Sequence, residues 1–507
     1  MRAYSGTVTD HRVVVIGAGF AGIGMAIQLM GRGHDDLVIL ERSDRIGGVW
    51  RENTYPGAAC DVPSHLYSYS FSQPVWSRRY SRQPEILAYL QDQVDRYGLG
   101  AHLRLGAGVE CATWEADAAH WELALSDGST LTASMVVSAV GQLTRPVLPD
   151  IPGRDLFTGA SWHSAQWDHT QDLTAKRVAV IGTGTSAMQF VPEIAKQAQR
   201  VHVFQRSAPY VLPKIDHRYD GLTGAWHRVP LLARLDRLRI FLYGEMLTSA
   251  YVASDRMADY VTNQWRDHLS EQIDDPDLRA KAMPDYKVGC KRIGFSNDWY
   301  PALASDHVEL VTDRVTAITA AGITSADGTE RPVDVIIYGT GFGATEFLQP
   351  MEIIGRHGRN LQETWSAGAQ AFAGVAVAGF PNFFMLYGPN SNLGANSVIY
   401  MLETQMAYVC EALAALDRDR LAWIDVRADV QAADNRWLDA TSERTTYKSG
   451  CHSWYTTASG RNTNNWPTFT YRYRHKLRHL DLADFDVSPV PDPAPVAAPA
   501  GAQAVTG

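Results

Sequence analysis

The chain has 507 residues, of which 45% are hydrophobic and 20% charged, and its formal net charge is −9. This length predicts two or three domains, and the acidic balance argues against a surface built for nucleic acid. No stretch approaches the roughly eighteen apolar residues of a membrane span, and the polar N-terminus lacks the apolar core of a signal peptide. We therefore expect a soluble, cytoplasmic protein without stable membrane insertion.

The cysteines are scattered, odd in number, and include no C-x-x-C pair. The dithiol chemistry of disulfide reductases and a zinc site are therefore not expected, and no metal is predicted. This usage fits a reducing cytosol. The five residues are Cys60, Cys111, Cys290, Cys410 and Cys451.

The first structural signal is an apolar strand at 13–16, a glycine-rich turn and a helical pattern at 23–29. In G-x-G-x-x-G spacing the glycines permit a tight turn, close approach of a pyrophosphate and close packing of helix on strand. The next strand, 37–40, ends in Glu41, whose carboxylate can accept hydrogen bonds from a ribose diol. The segment predicts a dinucleotide site suited to FAD, with the turn residues Gly17, Gly19, Phe20 and Gly22.

Residues 121–125 and 131–140, joined by 126–129, predict a β-hairpin that leads into a buried strand. The stretch 144–152 contains three prolines and is expected to act as a hinge. Residues 214–285 have apolar residues at helical spacing among many charges, which predicts a helical insertion. Its basic amphipathic part fits a helix packed over the active site or against a partner subunit better than one lying on a membrane.

A second strand, turn and helix begin near Lys176, with alanine in the third glycine place, which the pattern tolerates. Arg206 follows the next strand at the position that corresponds to Glu41 in the first unit. A carboxylate there would repel a 2′-phosphate, whereas a guanidinium can bind one, so the second site suits NADPH. An ordinary solvated arginine is the alternative. The turn residues are Gly182, Thr183, Gly184, Thr185 and Ser186.

Two longer stretches resemble those of Baeyer–Villiger monooxygenases, which are class B flavin-dependent enzymes. Residues 47–61 resemble the family's G-G-x-W…[FY]-P-G-x-x-x-D segment. Together with 290–292 and 338–342, the resemblance runs from about Arg12 to Asp484. The family fingerprint F-x-G-x-x-x-H-x-x-x-W-[PD] is matched at each defined position, by Phe157, Gly159, His163, Trp167 and Asp168.

The resemblance implies an α/β fold of two doubly wound, Rossmann-like dinucleotide-binding domains with a helical insertion in the second. The implied boundaries are a flexible tail at 1–11, an FAD domain at 12–145 and 374–487, an NADPH domain at 146–213 and 286–373, the insertion at 214–285, and a disordered Pro/Ala-rich tail at 488–507.

The resemblance also implies the reaction. In the family NADPH reduces FAD, O2 adds at flavin carbon 4a, and the peroxide anion attacks a ketone carbonyl to give an ester or lactone. The protein must stabilise negative charge and exclude water, and arginine suits this because it does not lose its proton. Arg292 matches the family's active-site arginine, and Asp61 matches the carboxylate that orients it. Lys291 matches the lysine that contacts the NADPH phosphate together with Arg206.

Further roles follow from the same resemblance. Trp50 and Tyr67 would pack against the flavin, although either suits an ordinary core. The backbone at Val109 would meet adenine, and Asn390 belongs to a run, 388–394, that would cover the flavin ring. His163 would couple domain movement to catalysis rather than act as an acid or base. The remaining expected contacts are Arg42, Gly48 and Val49 for FAD, and Ser207 and Arg292 for NADPH.

Three functions are compatible with these motifs. The first is a ketone-oxygenating enzyme with a small-molecule ketone and O2 as partners, acting as a monomer or homodimer. The second is a related monooxygenase that oxygenates sulfur or nitrogen. The third is a flavin-binding redox sensor, which would not need Arg292 opposite Asp61. The sequence favours the first, and it does not identify the ketone.

Overall fold

The computed structural model describes residues 9–490 apart from positions 228 and 452. Residues 1–8 of the predicted N-terminal tail and residues 491–507 of the predicted C-terminal tail lie outside the described residues.

The described residues form twenty strands. They are β1 His11–Ile16, β2 Leu37–Glu41, β3 Leu103–Leu105, β4 Val109–Glu115, β5 His120–Leu125, β6 Thr130–Ser138, β7 Ala160–His163, β8 Arg177–Ile181, β9 Arg200–Phe204, β10 Val211–Leu212, β11 Gly294–Phe295, β12 Val308–Val311, β13 Val315–Ile318, β14 Gly322–Ser325, β15 Glu330–Pro332, β16 Val335–Tyr338, β17 Glu352–Ile354, β18 Phe383–Met385, β19 Leu421–Val426 and β20 Phe485–Pro489.

Thirteen α-helices accompany these strands in the described part of the chain. They are α1 Phe20–Met30, α2 Val49–Glu52, α3 Gln83–Arg96, α4 Thr185–Ala195, α5 Gly221–His227, α6 Pro230–Val252, α7 Asp255–Gln272, α8 Pro276–Lys281, α9 Trp299–Leu303, α10 Leu361–Thr364, α11 Val398–Arg418, α12 Ala428–Ser442 and α13 Thr470–Lys476.

The larger sheet has the order β17-β4-β5-β6-β1-β2-β3, and β18 also pairs with β6. Strand β1 lies between β2 and β6 and is parallel to both. Its last four residues are buried, which explains why this segment is uniformly apolar. Strands β5 and β6 form the antiparallel hairpin expected at 121–140. Helices α1 and α11 pack in the same core as β1.

The second sheet has the order β12-β9-β8-β16-β7, and all its pairs are parallel. Strand β8, which precedes the second glycine turn, therefore lies inside this sheet as β1 lies inside the first. The segment 214–285 contains helices α5–α8. None of the described helices is both long and apolar enough to span a membrane.

The boundary between the two domains differs from the expectation. Strand β17 pairs in parallel with β4 of the larger sheet, although its residues were assigned to the NADPH domain. Ile353, Leu361 and Trp365 are buried in the same core as Trp121 and Phe383. Pairing with β17 satisfies the backbone groups of β4 at an otherwise open sheet edge. The chain thus enters the first domain before residue 352, and the expected boundary at 373/374 is wrong.

The described residues of the two predicted tails belong to the folded part of the protein. At the N-terminal end, the backbone N–H of Asp10 donates to Thr132 Oγ1 at 3.0 Å, and its carboxylate accepts from the Thr132 N–H at 2.8 Å. At the C-terminal end, Ser488 and Pro489 belong to β20, which pairs with β19. Residues 9–11 and 488–489 are therefore held by hydrogen bonds to the body of the protein.

Ile353→Ala tests the revised boundary. Ile353 is fully buried in the core of the first domain, so we expect its truncation to lower the free energy of unfolding by about 2–5 kcal/mol. Urea unfolding monitored by tryptophan fluorescence measures this change. Ile215→Ala is the control, because Ile215 is 63% exposed. Equal stability of the two variants would contradict the assignment of β17 to this core.

Candidate active site

The first glycine turn connects β1 to α1 with no room for side chains. Gly17 has φ +108°, a conformation that L side chains rarely adopt, and a Cβ at Gly22 would overlap the carbonyl oxygen of Gly17. Helix α1 begins directly after Gly19. The free N–H groups of its first turn create a site for an anion. The turn has the shape that a pyrophosphate needs.

Glu41 lies at the end of β2 beside this turn and is almost fully buried. Its Oε2 accepts a hydrogen bond from the N–H of Ala18 at 2.9 Å, and its Oε1 accepts one from Ser43 at 3.0 Å. Arg51 donates to Oε1 at 3.2 Å. Arg42, expected to contact FAD, pairs with Glu52 at 3.1 Å. The carboxylate of Glu41 is thus held at the rim of the turn, where a ribose would lie.

Gly48 and Gly19 face each other across a narrow gap between backbones. A Cβ at Gly48 would lie 3.2 Å from the Cα of Gly19. Val49 begins the short helix α2 immediately after this contact. The gap is too narrow to admit a ligand group, and a side chain at Gly48 would crowd the backbone of the glycine turn.

Three aromatic residues close one side of the same region. The Nε1–H of Trp50 donates to the hydroxyl of Tyr67 at 3.1 Å, and their rings meet edge to face. The ring of Phe20 lies 5.2 Å from that of Tyr67. Tyr67 and Trp50 are packed against the core of the first domain without being fully buried, so each contributes to the core and to the wall of the site.

Asn390 lies in the run that follows β18 and has φ +56°. Its Nδ2 donates to the carbonyl of Asn462 at 2.8 Å, whereas its buried Oδ1 has no hydrogen-bond partner among the described residues. An unsatisfied buried acceptor indicates a place for a ligand donor. Val109, by contrast, starts β4 and is partly buried beside its core.

The second turn repeats the first. Gly182 has φ +107°, and a Cβ there would overlap the carbonyl oxygen of Gly339. Helix α4 begins at Thr185, directly after Gly184. Thr183 Oγ1 donates to the carbonyl of Ser207 at 3.3 Å, which ties the turn to the end of β9. Ser186 lies on the first turn of α4 and hydrogen-bonds Tyr55.

A basic pocket lies beside the second turn. Lys291 Nζ donates to Ser207 Oγ at 2.6 Å and lies over the ring of Tyr286. Burial lowers the pKa of Lys291, and the nearby charge of Arg206 lowers it further. Two cations held this close repel each other, so a dianionic phosphate between them would relieve the repulsion. Arg206, Ser207 and Lys291 are therefore brought together as expected.

The structure brings Arg292 and Asp61 into direct contact. The Nε and Nη2 atoms of Arg292 both donate to Asp61 Oδ2, at 3.0 and 2.6 Å. Nη1 reaches the carbonyl of Leu393 only at 3.5 Å. The charge of Asp61 raises the pKa of Arg292 above its already high usual value, so the guanidinium stays cationic.

Three tyrosines surround this ion pair, and none of them is among the predicted site residues. Tyr455 lies in the segment before α13, Tyr251 lies on α6, and Tyr387 precedes the 388–394 run. Burial raises the pKa of Tyr387 to about 12, and it raises the pKa of the other two as well. All three stay neutral and act on Arg292 as hydroxyl dipoles. The sequence feature that could have identified Tyr387 is its position next to the 388–394 run.

A cavity of about 680 Å3, including its open mouth, adjoins Arg292 and Asp61. Its other walls are mostly apolar, and α6 contributes a row of residues at helical spacing. This helical spacing is the sequence feature that could have identified this face of the insertion. The residues from α6 are Ile240, Tyr243, Gly244, Leu247 and Tyr251.

Comparison with known proteins identifies the family. A Baeyer–Villiger monooxygenase of Streptomyces coelicolor is 43% identical over 506 residues, covering 99% of this chain and 97% of that protein. A second Baeyer–Villiger monooxygenase, from Pseudomonas aeruginosa, is 42% identical and covers 95% of this chain and 92% of its own length. The chain belongs to the Baeyer–Villiger monooxygenase family. The predicted family and enzyme class are thereby confirmed.

Two further comparisons concern the fold. Steroid monooxygenase bound to NADP superimposes with a TM-score of 0.84 at 30% identity, covering 94% of this chain and 99% of that chain. The family profile described as "Pyridine nucleotide-disulphide oxidoreductase" matches residues 14–220. The predicted α/β class with two dinucleotide-binding domains is confirmed.

The fingerprint of the Baeyer–Villiger family lies along the second sheet and away from Arg292. Phe157 and Gly159 precede β7, and His163 ends it. The Nδ1 of His163 accepts from the Ala165 N–H at 3.1 Å, and burial lowers its pKa. Trp167 packs on Tyr55 and Phe190, and Asp168 caps a turn by accepting from Thr170. These contacts fix the path of the chain between the domains.

The structure contains a disulfide that the sequence did not predict. Cys290 and Cys451 form a disulfide, although 161 residues separate them. No local spacing signals such a pair, because the fold alone brings the two segments together. Cys60, Cys111 and Cys410 are free.

One cluster in the described residues combines ligand types suited to a metal. Single atoms of His65, His227 and Asp236 lie within 4.8 Å of one another. The two imidazole rings are stacked 4.3 Å apart at 20°, so their lone pairs lie in nearly parallel planes and do not converge. Burial lowers the pKa of His65 to about 4, and Arg237 donates to its carbonyl. The cluster is a packed histidine pair, and no metal centre is assigned.

Arg206→Ala tests the basic pocket. The variant loses charge-assisted hydrogen bonds to the 2′-phosphate, which are worth about 1.5–3 kcal/mol. The KM for NADPH should therefore rise by about 10- to 100-fold. The KM for NADH should change little, because NADH has no 2′-phosphate. Steady-state kinetics with both cofactors measures the effect. The control is Arg234→Ala, on the exposed face of α6. Equal changes for NADPH and NADH would show that Arg206 does not bind the 2′-phosphate.

Proposed function

We propose that this enzyme uses FAD and NADPH to insert one atom of O2 beside the carbonyl group of an apolar ketone, giving an ester or lactone. The observation that carries the proposal is the contact between Arg292 and Asp61 at the edge of an apolar cavity. A fixed cation beside such a cavity suits a reaction in which negative charge develops on oxygen. The names of the two similar relatives from Streptomyces coelicolor and Pseudomonas aeruginosa support the same reaction.

FAD would be held by the first turn and by Glu41. Asn390, with its unsatisfied Oδ1, would contribute from the opposite side. When bound and reduced, FAD supplies the activation of O2. The protein's own contribution is to bind, orient and exclude water.

NADPH would be held by the second turn and by the basic pocket of Arg206, Ser207 and Lys291. Lys291 adjoins Arg292 in the chain, so the phosphate contact and the reaction centre share one loop. A nicotinamide cofactor bound there would therefore lie close to the ion pair.

Arg292 and Asp61 have different tasks. Asp61 accepts two hydrogen bonds with one oxygen and fixes the guanidinium plane. Because Nη1 makes only one long contact, to Leu393, it has capacity to donate toward the cavity. Arginine stabilises negative charge there without giving up a proton, which limits the loss of oxygen as H2O2. Because the apolar walls exclude water, the electrostatic interaction of this cation with negative charge in the cavity is stronger than it would be in water.

The substrate class follows from the cavity. Ile240, Leu247 and Phe295 present apolar side chains, and Tyr80, Tyr243 and Asn396 provide the few polar groups besides the ion pair. Such a wall favours ketones with apolar flanks over charged or sugar-like ones. A ketone and O2 as partners are part of this proposal, whereas a monomer or homodimer and a cytoplasmic location stay predictions from the sequence.

Arg292→Ala should still allow NADPH to reduce the flavin but should stop ester formation. Removal of one charge-stabilising group costs about 2.7–4 kcal/mol, or about 100- to 1000-fold in turnover. Anaerobic stopped-flow reduction and product analysis by mass spectrometry separate the two steps. Asp61→Asn is the companion variant, since it keeps the size of the partner and removes its charge. Normal ester production by Arg292→Ala would refute the role.

Leu247→Ala should enlarge the cavity and shift preference toward bulkier ketones. Each substrate methylene group that the pocket accommodates contributes about 1–3 kcal/mol to transition-state binding. The ratio of kcat/KM for a larger ketone to that for a smaller one should therefore rise by about tenfold. Leu242→Ala on the same helix is the control, because Leu242 is 57% exposed. An unchanged ratio in Leu247→Ala would exclude this cavity as the ketone site.

A further inference from the structure

The disulfide joins two segments that meet at the ion pair. The Cα atoms of Cys290 and Cys451 are 6.1 Å apart. Cys290 is fully buried, whereas Cys451 is partly exposed. The bond therefore has one sulfur in the interior next to Arg292 and one nearer to solvent.

Three successive residues of the loop before β11 each hold a different part of the protein. Cys290 is bonded to Cys451, Lys291 contacts Ser207 in the NADPH pocket, and Arg292 contacts Asp61. A displacement of this loop by the disulfide would move the phosphate contact and the ion pair together.

The segment 446–463 apart from position 452, here called the covering segment, lies over this loop. A Cβ at Gly289 would be 2.6 Å from Thr446 Oγ1, so the two segments are in close contact. Tyr455, four residues after Cys451, is fully buried beside Arg292. The covering segment thus forms part of the wall that separates the ion pair from solvent.

The middle of the covering segment has few other attachments. Of the described residues in 449–460, only Tyr455 is buried. Lys448 donates to the carbonyl of Gly460 at 2.8 Å, and the Thr463 N–H donates to the carbonyl of Tyr455 at 3.1 Å, but both bonds lie within the segment. A segment with few buried contacts opens at low free energy unless it is cross-linked.

We propose that Cys290 and Cys451 form a thiol–disulfide switch that holds the covering segment closed over Arg292 when oxidised and releases it when reduced. The proposed consequence for the reaction is that the closed form couples NADPH consumption to ester formation, and that the open form admits water and releases H2O2. This consequence rests on the proposed function, whereas the switch itself does not.

The chemistry of the switch balances with simple reagents. In reduction, a thiolate of a dithiol attacks the partly exposed sulfur of Cys451, and Cys290 leaves as a thiolate that takes up a proton. The second thiol of the reagent then releases Cys451, so two thiols form as the dithiol becomes a disulfide. The cations of Lys291 and Arg292 favour Cys290 as the leaving group. In oxidation, two thiols and H2O2 give the disulfide and two molecules of water.

The remaining cysteines do not compete for this role. Burial raises the pKa of Cys410 to about 11 and also raises that of Cys60, which keeps both as inert thiols. Cys111 is partly exposed on β4, away from the ion pair. It provides a matched control that carries a thiol but no part of the switch.

The first experiment tests the switch without reference to activity. The holoenzyme is treated with H2O2 or with a dithiol, denatured and then alkylated, and intact-mass analysis should count three free thiols after H2O2 and five after the dithiol. Hydrogen–deuterium exchange in 449–461 should be at least about tenfold faster in the dithiol-treated form. Five thiols in both forms, or equal exchange rates, would overturn the proposal.

The second experiment tests the consequence. We expect H2O2 released per NADPH consumed to rise by about threefold or more on reduction and to fall again on reoxidation. Cys290→Ser, Cys451→Ser and the double variant should each match the reduced wild type and ignore the dithiol, because one bond is lost in all three. Cys111→Ser should respond as wild type does. If hydrogen–deuterium exchange changes about tenfold but H2O2 release does not change, the thiol–disulfide switch is supported and its proposed effect on oxygen transfer is refuted.

Discussion

The contact between Arg292 and Asp61 joins residues 231 positions apart and links the two nucleotide-binding domains. The Arg292 side chain is 29% exposed and that of Asp61 15%, so separating the pair would leave two poorly solvated charges, and the loop before β11 has little freedom relative to the first domain. Because Lys291 reaches the second turn from the same loop, this one pair relates the two cofactor turns to each other.

Helix α6 of the insertion completes the site, and it packs against the first domain so closely that no side chain fits at the contact. A Cβ at Gly244 on α6 would lie 2.8 Å from the Asn396 side chain, just before α11. The Nδ2 of Asn396 also donates to Glu245 Oε1 at 2.7 Å. Helix α6 is thus pressed on the first domain, and its apolar row faces Arg292 across the cavity. The shape of the cavity depends on this packing as much as on the side chains that line it.

The sequence predicted those parts of the structure in which the local backbone geometry permits only one type of residue. A turn without room for a Cβ requires glycine at Gly17 and Gly22, so the motif can be read directly. Arg292 and Asp61 were paired through the family resemblance rather than through any local pattern. Strand β17 was missed because three residues carry no periodicity. The inner face of α6 was not resolved because Leu235 and Leu242 are exposed on its outer face and obscure the apolar stripe.

The placement of β17 and β18 has a consequence for biogenesis. Both strands complete the larger sheet, yet they are synthesised after the whole of the second sheet and its inserted helices. Until the ribosome has passed them, the edge of β4 and the last residues of β6, 136–138, lack these neighbours. The N-terminal part of the sheet emerges with open edges, which are the regions that chaperones protect from aggregation. All strands of the second sheet have been synthesised once β16 emerges, so that sheet can close first and maturation of this enzyme should finish at the domain that was begun earliest.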